Sequence, residues 1–352
     1  MNHYQLVKCA VRGDRLGKNH LKMPENTSYP ICNTIKRKLF NFIRALPALA
    51  TLGFATPTLG ATFYVAGFNS DNIQQYDSKT GYFLDTFASG SQLNEPEGLV
   101  FDSNGDLYVS NRGTDQILKY NGKTRAFLEV FASGGGLDQP DGLSFGSNGN
   151  LYVSSQLTDQ VLEYDGRTGA FVKVFASGGG LDFPTGIVFG PDNNLYVSSF
   201  YSNNILWYDG ETGNLLGTFA SGGGLTGPTG LSFGSDGNLY VSSFLSDQVL
   251  EYDGKTGNLR VTFASGSQLD GPNFLNFDLD GNLYVGSVEN NQVLVYDGMT
   301  GALLHTLALD NGLDAPTGIV FSHKSSSIPE SSFVLGLCVF GILSVYGLCN
   351  KA

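Results

Sequence analysis

Residues 140–183 read PDGLSFGSNGNLYVSSQLTDQVLEYDGRTGAFVKVFASGGGLDF, and residues 184–227 read PTGIVFGPDNNLYVSSFYSNNILWYDGETGNLLGTFASGGGLTG. The second stretch is nearly the first one over again, 44 residues on. Outward from this pair, the tyrosine of the Tyr-Asp-Gly-x-Thr-Gly turn recurs as Tyr76, Tyr120, Tyr164, Tyr208, Tyr252 and Tyr296. The tyrosine of Leu-Tyr-Val-Ser recurs as Tyr64, Tyr108, Tyr152, Tyr196, Tyr240 and Tyr284. A proline series falls at Pro96, Pro140, Pro184, Pro228, Pro272 and Pro316. Identity at a fixed period marks a repeat architecture rather than two or three separate domains.

One unit reads as four short strands. In the unit opened by Pro140 they are Gly142–Phe145, Leu151–Ser154, Gln160–Tyr164 and Phe171–Phe175. Asn148-Gly149 and Asp165-Gly166 supply the turn residues that tight hairpins need. The array begins at Phe63 on a second strand and ends at Phe321 on a first strand. Thr317–Phe321 can therefore pair with Phe63–Ala66 and complete a composite blade, giving a closed all-β, six-bladed β-propeller of 44-residue, four-stranded blades. An open solenoid would leave half-blades at both ends without caps.

Composition agrees with this reading. Gly is 47 of 352 residues, as many tight turns require. Residues 62–322 hold 9 Lys and Arg against 29 Asp and Glu, a formal charge of −20. A surface that acidic repels phosphate backbones and argues against nucleic acid, while it attracts cations or a basic partner. Cys9, Cys32, Cys338 and Cys349 all lie outside the repeats, so neither a disulfide framework nor a zinc site supports the fold.

Four segments follow: an N-terminal extension and export signal over 1–61, the propeller over 62–322, a polar hinge over 323–332, and a C-terminal hydrophobic anchor or sorting helix over 333–352. Lys36, Arg37, Lys38 and Arg44 precede an apolar run from Ala45 to Leu59, with small residues at Gly60 and Ala61. This is the grammar of an export signal cut near Ala61, with a start at Met23 or a long n-region; a retained membrane anchor is the alternative. Pro329-Glu330-Ser331, then the uncharged stretch Phe333–Cys349 and Lys351, resembles the PEP-CTERM sorting signal, although that family has Pro-Glu-Pro. The resemblance implies processing by an exosortase-type protease, transit through the membrane on the C-terminal helix, and export to the cell surface or extracellular matrix.

Pro-x-Gly-Leu-x-Phe, Asn-Leu-Tyr-Val-Ser and Gln-Val-Leu-x-Tyr-Asp resemble NHL repeats and the related SMP-30/gluconolactonase and streptogramin-lyase propellers over the whole of 62–322. Such propellers place ligands at one mouth of the central channel, which here directs attention to two sets of individual positions. Between Pro and Gly, or its equivalent, stand Glu97, Asp141, Thr185, Thr229, Asn273 and Thr317; after the second strand come Phe68, Arg112, Gln156, Phe200, Phe244 and Val288. From these and their neighbours the contact residues singled out are Arg112, Phe200, Tyr201, Phe244, Asn273 and Glu289, for a carbohydrate, peptide or envelope-protein ligand. Neutral drift at exposed loop tips is the bland alternative.

In the SMP-30/gluconolactonase group a Glu, an Asn and an Asp hold the metal that polarises a lactone carbonyl. The resemblance implies Glu97, Asp141 and Asn273 as oxygen ligands for Ca²⁺, in a changed chain order. Solvated polar residues rimming a pore are the alternative. His305 reads as a strand residue inside Ala302–Ala308, and no Ser-His-Asp or Cys-His set can be assembled in the repeats. The preferred expectation is a binding module, with a metal-dependent hydrolase or a structural matrix protein as alternatives.

Overall fold

The computed structural model describes residues 61–322, apart from 91, 267, 309 and 310. The expected export signal, hinge and C-terminal helix therefore lie outside the described residues. Among the described residues no helix is long and apolar enough to cross a membrane.

Six four-stranded antiparallel sheets are arranged as blades. Blade III shows the pattern: Pro140–Phe145 is innermost, followed outward by Leu151–Ser155, Gln160–Tyr164 and Phe171–Ser177. The inner and outer strands are each two residues longer than the sequence motifs suggested, because pairing runs on from Pro140↔Ser155 and to Gln160↔Ser177. The inner strands of blades II, IV, V and VI are Pro96–Phe101, Pro184–Phe189, Pro228–Phe233 and Pro272–Phe277. Blade I is the composite one: Pro316–Phe321 pairs with Thr62–Gly67, with Phe63 opposite Phe321 and Val65 opposite Ile319. Each inner strand packs on the next, and the strand of blade I packs on that of blade II, so the ring is closed. Beyond the paired strands, the Ser322 amide donates to the Thr62 carbonyl at 2.9 Å.

Strand alternation explains how the blades adhere. Leu151 and Val153 face the interface with blade II, whereas Tyr152, one residue out of phase, faces blade IV. Six such apolar clusters are found, each lying between two neighbouring blades. In the cluster between blades III and IV the Tyr152 ring meets Phe175 and Phe189 edge-on, at 4.7 and 4.9 Å. The Asp-Gly-x-Thr-Gly turns are fixed by the aspartate: Asp165 Oδ1 accepts from the amides of Arg167 and Thr168 and from the Thr168 hydroxyl. The turn that opens on Asp102 is closed in the same manner, with Oδ1 accepting from the amides of Asn104 and Asp106.

A second contact between blades was not anticipated. Asp71, Asp115, Asp159, Asn203, Asp247 and Asn291 all adopt the left-handed backbone conformation, with φ between 48° and 57°. Each side chain accepts the amide of the residue 24 positions on, as in Asp159 Oδ1 to Phe183 N at 2.8 Å. Asp and Asn suit both demands, since they tolerate this conformation and carry a short acceptor.

Candidate functional site

The residues that receive these caps stand just before the prolines, at one mouth of the channel, and they too are left-handed. They are Glu95, Gln139, Phe183, Gly227, Gly271 and Ala315, with φ between 51° and 58°. Glycine takes this conformation without strain, and blades V and VI use it. Blades II, III and IV instead place a large side chain there, against the backbone preference. These three side chains do not point to idle surface. Glu95 and Gln139 accept from Arg112 Nη1 and Nη2 at 3.1 and 2.7 Å. Phe183 lies 6.0 Å from the Phe200 ring and 5.1 Å from the Tyr201 ring.

Just inside the mouth, the ring of residues between Pro and Gly is also unequal. Thr317, Thr185 and Thr229 each donate Oγ1 to the carbonyl of the proline that opens the next inner strand, at 3.0, 2.9 and 2.9 Å. Glu97 and Asp141 take the same positions in blades II and III. They are 8% and 4% exposed, yet among the described residues Glu97 Oε2 and Asp141 Oδ1 have no hydrogen-bond partner. The other Asp141 oxygen accepts from Gln156 Nε2 at 2.6 Å, and Gln156 in turn accepts from Arg112 Nε at 3.1 Å. The Arg112 guanidinium lies 5.4 Å from the Phe68 ring centroid.

Burial governs the electrostatics. It pushes the Glu97 carboxyl well above the ordinary carboxylate range; the Asp141 charge adds to this, Arg112 opposes it, and Glu95 adds a little more. Asp141 is pushed up to about 7 by burial, against the lowering pull of Arg112 and of the Gln156 hydrogen bond. A carboxyl whose folded-state pKa is raised binds its proton more tightly when folded. Its stabilising contribution is thus complete below the unfolded value of 3.8 and is lost as pH rises through about 7. Moving from pH 5 to pH 8 should therefore lower the stability of the wild-type chain. Asp141→Asn should flatten part of that slope and raise stability at pH 8, by about 1–3 kcal/mol for relieving an uncompensated buried charge. Thermal melts at both pH values check this; a variant melting with the same slope as wild type would contradict it.

The residues singled out from sequence are not all brought together. Arg112, Phe200, Tyr201 and Phe244 lie along the mouth of blades II, IV and V, with Phe200 5.1 Å from Tyr201 and 6.3 Å from Phe244. Glu97 and Asp141 are neighbours in the ring, on adjoining inner strands. Asn273, on the inner strand of blade VI, is three blades from Asp141 and two from Glu97. Glu289 is exposed on blade VI and packs its stem near Gly271. Among the described residues no three His, Cys, Asp or Glu side chains are grouped to hold a metal ion. His305 is exposed on the outermost strand of blade VI, Leu303–Ala308, opposite Val295 and away from the channel.

Sequence reasoning passed over Glu95, Gln139 and Phe183; the signal was present, because the residue before each proline varies between Gly, Ala and large side chains. It also passed over Phe274, half-buried where the other five blades have Gly. At Gly142 a Cβ would come 2.5 Å from the Thr185 carbonyl oxygen. Blade VI departs at a second position as well, with Gly286 where blades II to V carry Ser. At the far ends of the inner strands of blades VI, I and II lies a cavity of about 290 Å³, lined by Val100, Phe101, Asn276, Phe277, Val320 and Phe321, among others, with no titratable side chain.

The family described as outer membrane protein assembly factor BamB (PQQ_2) matches residues 202–337, from the third strand of blade IV through the strand that closes blade I, and on past the described residues. No curated protein matches the chain in sequence. Among solved structures, a chain in the nidogen/laminin complex is 18% identical with a TM-score of 0.65, covering 75% of this chain and 99% of that one. A virginiamycin B lyase from Staphylococcus aureus is 15% identical with a TM-score of 0.56, covering 74% of this chain and 87% of that one. A protein of unknown function from Bacteroides caccae is 14% identical with a TM-score of 0.59, covering 75% and 100%. At these identities the likeness is one of fold: all three share the propeller architecture.

Proposed function

We propose that the chain is an exported, NHL-like propeller that binds a ligand or protein partner through the channel mouth over blades II to IV. One observation carries the reading. Left-handed large side chains, buried carboxylates each with one unpartnered oxygen, and a cluster of aromatic rings all fall in the same three-blade sector. The other three blades, V, VI and I, carry Gly, Gly and Ala at the left-handed position, and two of them keep the Thr-to-proline hydrogen bond at the ring. Strain and unsatisfied polar groups cost stability, and their coincidence at one mouth is what a binding surface built on a copied scaffold would leave.

Export rests on the basic cluster Lys36–Arg44 and on the Pro329-Glu330-Ser331 and Phe333–Cys349 segments. They support delivery to the envelope or matrix, with exosortase-type processing. A nidogen/laminin complex shows the same fold in a protein assembly. Lyase chemistry is disfavoured. A virginiamycin B lyase of this fold is catalytically inactive as a His-to-Ala variant, whereas the histidine among the described residues here is His305 on the outer rim. The metal-dependent hydrolase reading would need Asn273 to join Glu97 and Asp141 from two and three blades away.

A screen of the full-length chain against carbohydrates and envelope peptides tests the proposal, with Phe200→Ala and Arg112→Ala beside Met299→Ala, an exposed residue on an outer turn. Binding should fall at least about tenfold in the first two, equivalent to about 1.4 kcal/mol, and be unchanged in the third. Equal binding by all three would place the working surface elsewhere.

A further inference from the structure

The ring of six positions offers its own reference for what Glu97 and Asp141 lack. Thr185, Thr229 and Thr317 show how the scaffold satisfies itself, by donating to the next blade's proline carbonyl. An ionised carboxylate cannot donate, and among the described residues nothing donates to Glu97 Oε2 or Asp141 Oδ1. The cation of the sector is committed elsewhere: Arg112 gives Nε to Gln156, Nη1 to Glu95 and Nη2 to Gln139. It acts on the pair through space and leaves both oxygens without a proton donor. Two adjacent, buried acceptors therefore await donors that the described residues do not supply.

Charge narrows the donor. Glu95, Glu97 and Asp141 against Arg112 leave the sector negative when the carboxyls are ionised, so a cationic donor is held more strongly than a neutral one. Calcium would want six to eight oxygen ligands, and among the described residues no three His, Cys, Asp or Glu side chains are grouped to hold a metal ion. An ammonium needs only two or three acceptors. Beside blade III, blade IV offers Phe183, Phe200 and Tyr201, faces suited to an apolar body or to the cation itself.

We infer that the Glu97–Asp141 pair seats a protonated primary amine, the ammonium of a small amine, with the attached carbon body lying toward the aromatic rings of blade IV. This rests on the mouth reading above and names the chemistry that the mouth accepts. Binding requires the carboxyls to ionise, and the groups facing them are each other, Arg112, Glu95 and the neutral Gln156. Uptake of an amine should therefore release protons and strengthen as pH rises from 6 to 8, since the amine stays protonated throughout.

Calorimetric titration of the full-length chain with phenethylamine, its neutral counterpart phenethyl alcohol, and calcium chloride tests this at pH 6 and pH 8. Phenethylamine should bind saturably at pH 8, and at least about tenfold more weakly at pH 6. Phenethyl alcohol should bind at least about tenfold more weakly than the amine. Glu97→Gln and Asp141→Asn should each weaken the amine at least about tenfold, whereas Glu211→Gln, an exposed turn carboxylate, should not. Asp141→Thr restores the ring residue of three other blades, and melts of all variants separate lost binding from lost fold. Equal binding of amine and alcohol, or amine binding untouched by both ring variants, overturns the inference. If Phe200→Ala still weakens that binding, the mouth remains a binding surface for another chemistry. Calcium binding lost in the ring variants without amine binding overturns it in favour of a metal, and no amine binding at all overturns it outright.

Discussion

Truncation after Asp314 should leave no cooperatively melting propeller, whereas truncation after Ser322 should melt as the full chain does. The first cut removes Pro316–Phe321, the innermost strand of the composite blade. Ile319 leaves the core shared by blades VI and I, and Phe321 withdraws from rings 5.8 Å away at Phe63 and 5.0 Å away at Tyr284. Thr62–Gly67 then becomes an open edge with unpaired backbone, and the Thr317 bond to the Pro96 carbonyl is lost, so blade II loses its neighbour too. A ring differs from a solenoid here, because opening it exposes two interfaces at once. Circular dichroism melts and size-exclusion profiles distinguish the outcomes. A sharp melt after the first cut would mean that the other blades stand without closure.

Tyr152→Ala should destabilise the chain by about 3–5 kcal/mol, the usual cost of deleting a buried aromatic side chain. The ring is 2% exposed and edge-packed between blades III and IV. Its hydroxyl also donates to Glu163 Oε1 at 3.1 Å and accepts from Asn148 Nδ2 at 3.0 Å. Glu163 is held in addition by Asn150 Nδ2 at 2.7 Å and by Lys173 at 3.6 Å. Tyr152→Phe should keep the packing and lose roughly 1 kcal/mol, since these other donors remain with the carboxylate. Denaturant melts of the two variants separate the apolar from the polar share; similar losses would mean that the hydroxyl network, not the ring, holds the interface.

The parts of this molecule that were legible in sequence are those set by local rules repeated at a fixed interval. Tyr152, the Asp165 turn and Pro140 recur because every blade must pleat, turn and start alike, and the composite closure followed from where the copies begin and end. Strand ends were less legible, since Pro140 and Ser177 belong to strands through pairing rather than through propensity. The inter-blade caps were present as an Asp or Asn at each of six equivalent positions, but their purpose depends on two residues 24 apart meeting across a blade boundary. Least legible was the mouth. Glu97 and Asp141 are adjacent because their blades are, which the period does convey. That their oxygens lack donors depends on where Arg112 and Gln156 spend theirs, a matter of three-dimensional arrangement. Asn273 stands two blades from Glu97 and three from Asp141, a spacing that the period also conveys.

The join between Ser322 and Thr62 has a geometric corollary. Inner strands run from their prolines at the mouth to their phenylalanines at the far end, so both flanks of the array leave from the far end, side by side on blade I. Any anchor, before Thr62 or after Ser322, would pull on the molecule at one and the same corner. The rim of Glu95, Arg112, Phe183 and Tyr201 lies at the opposite ends of the inner strands from that corner.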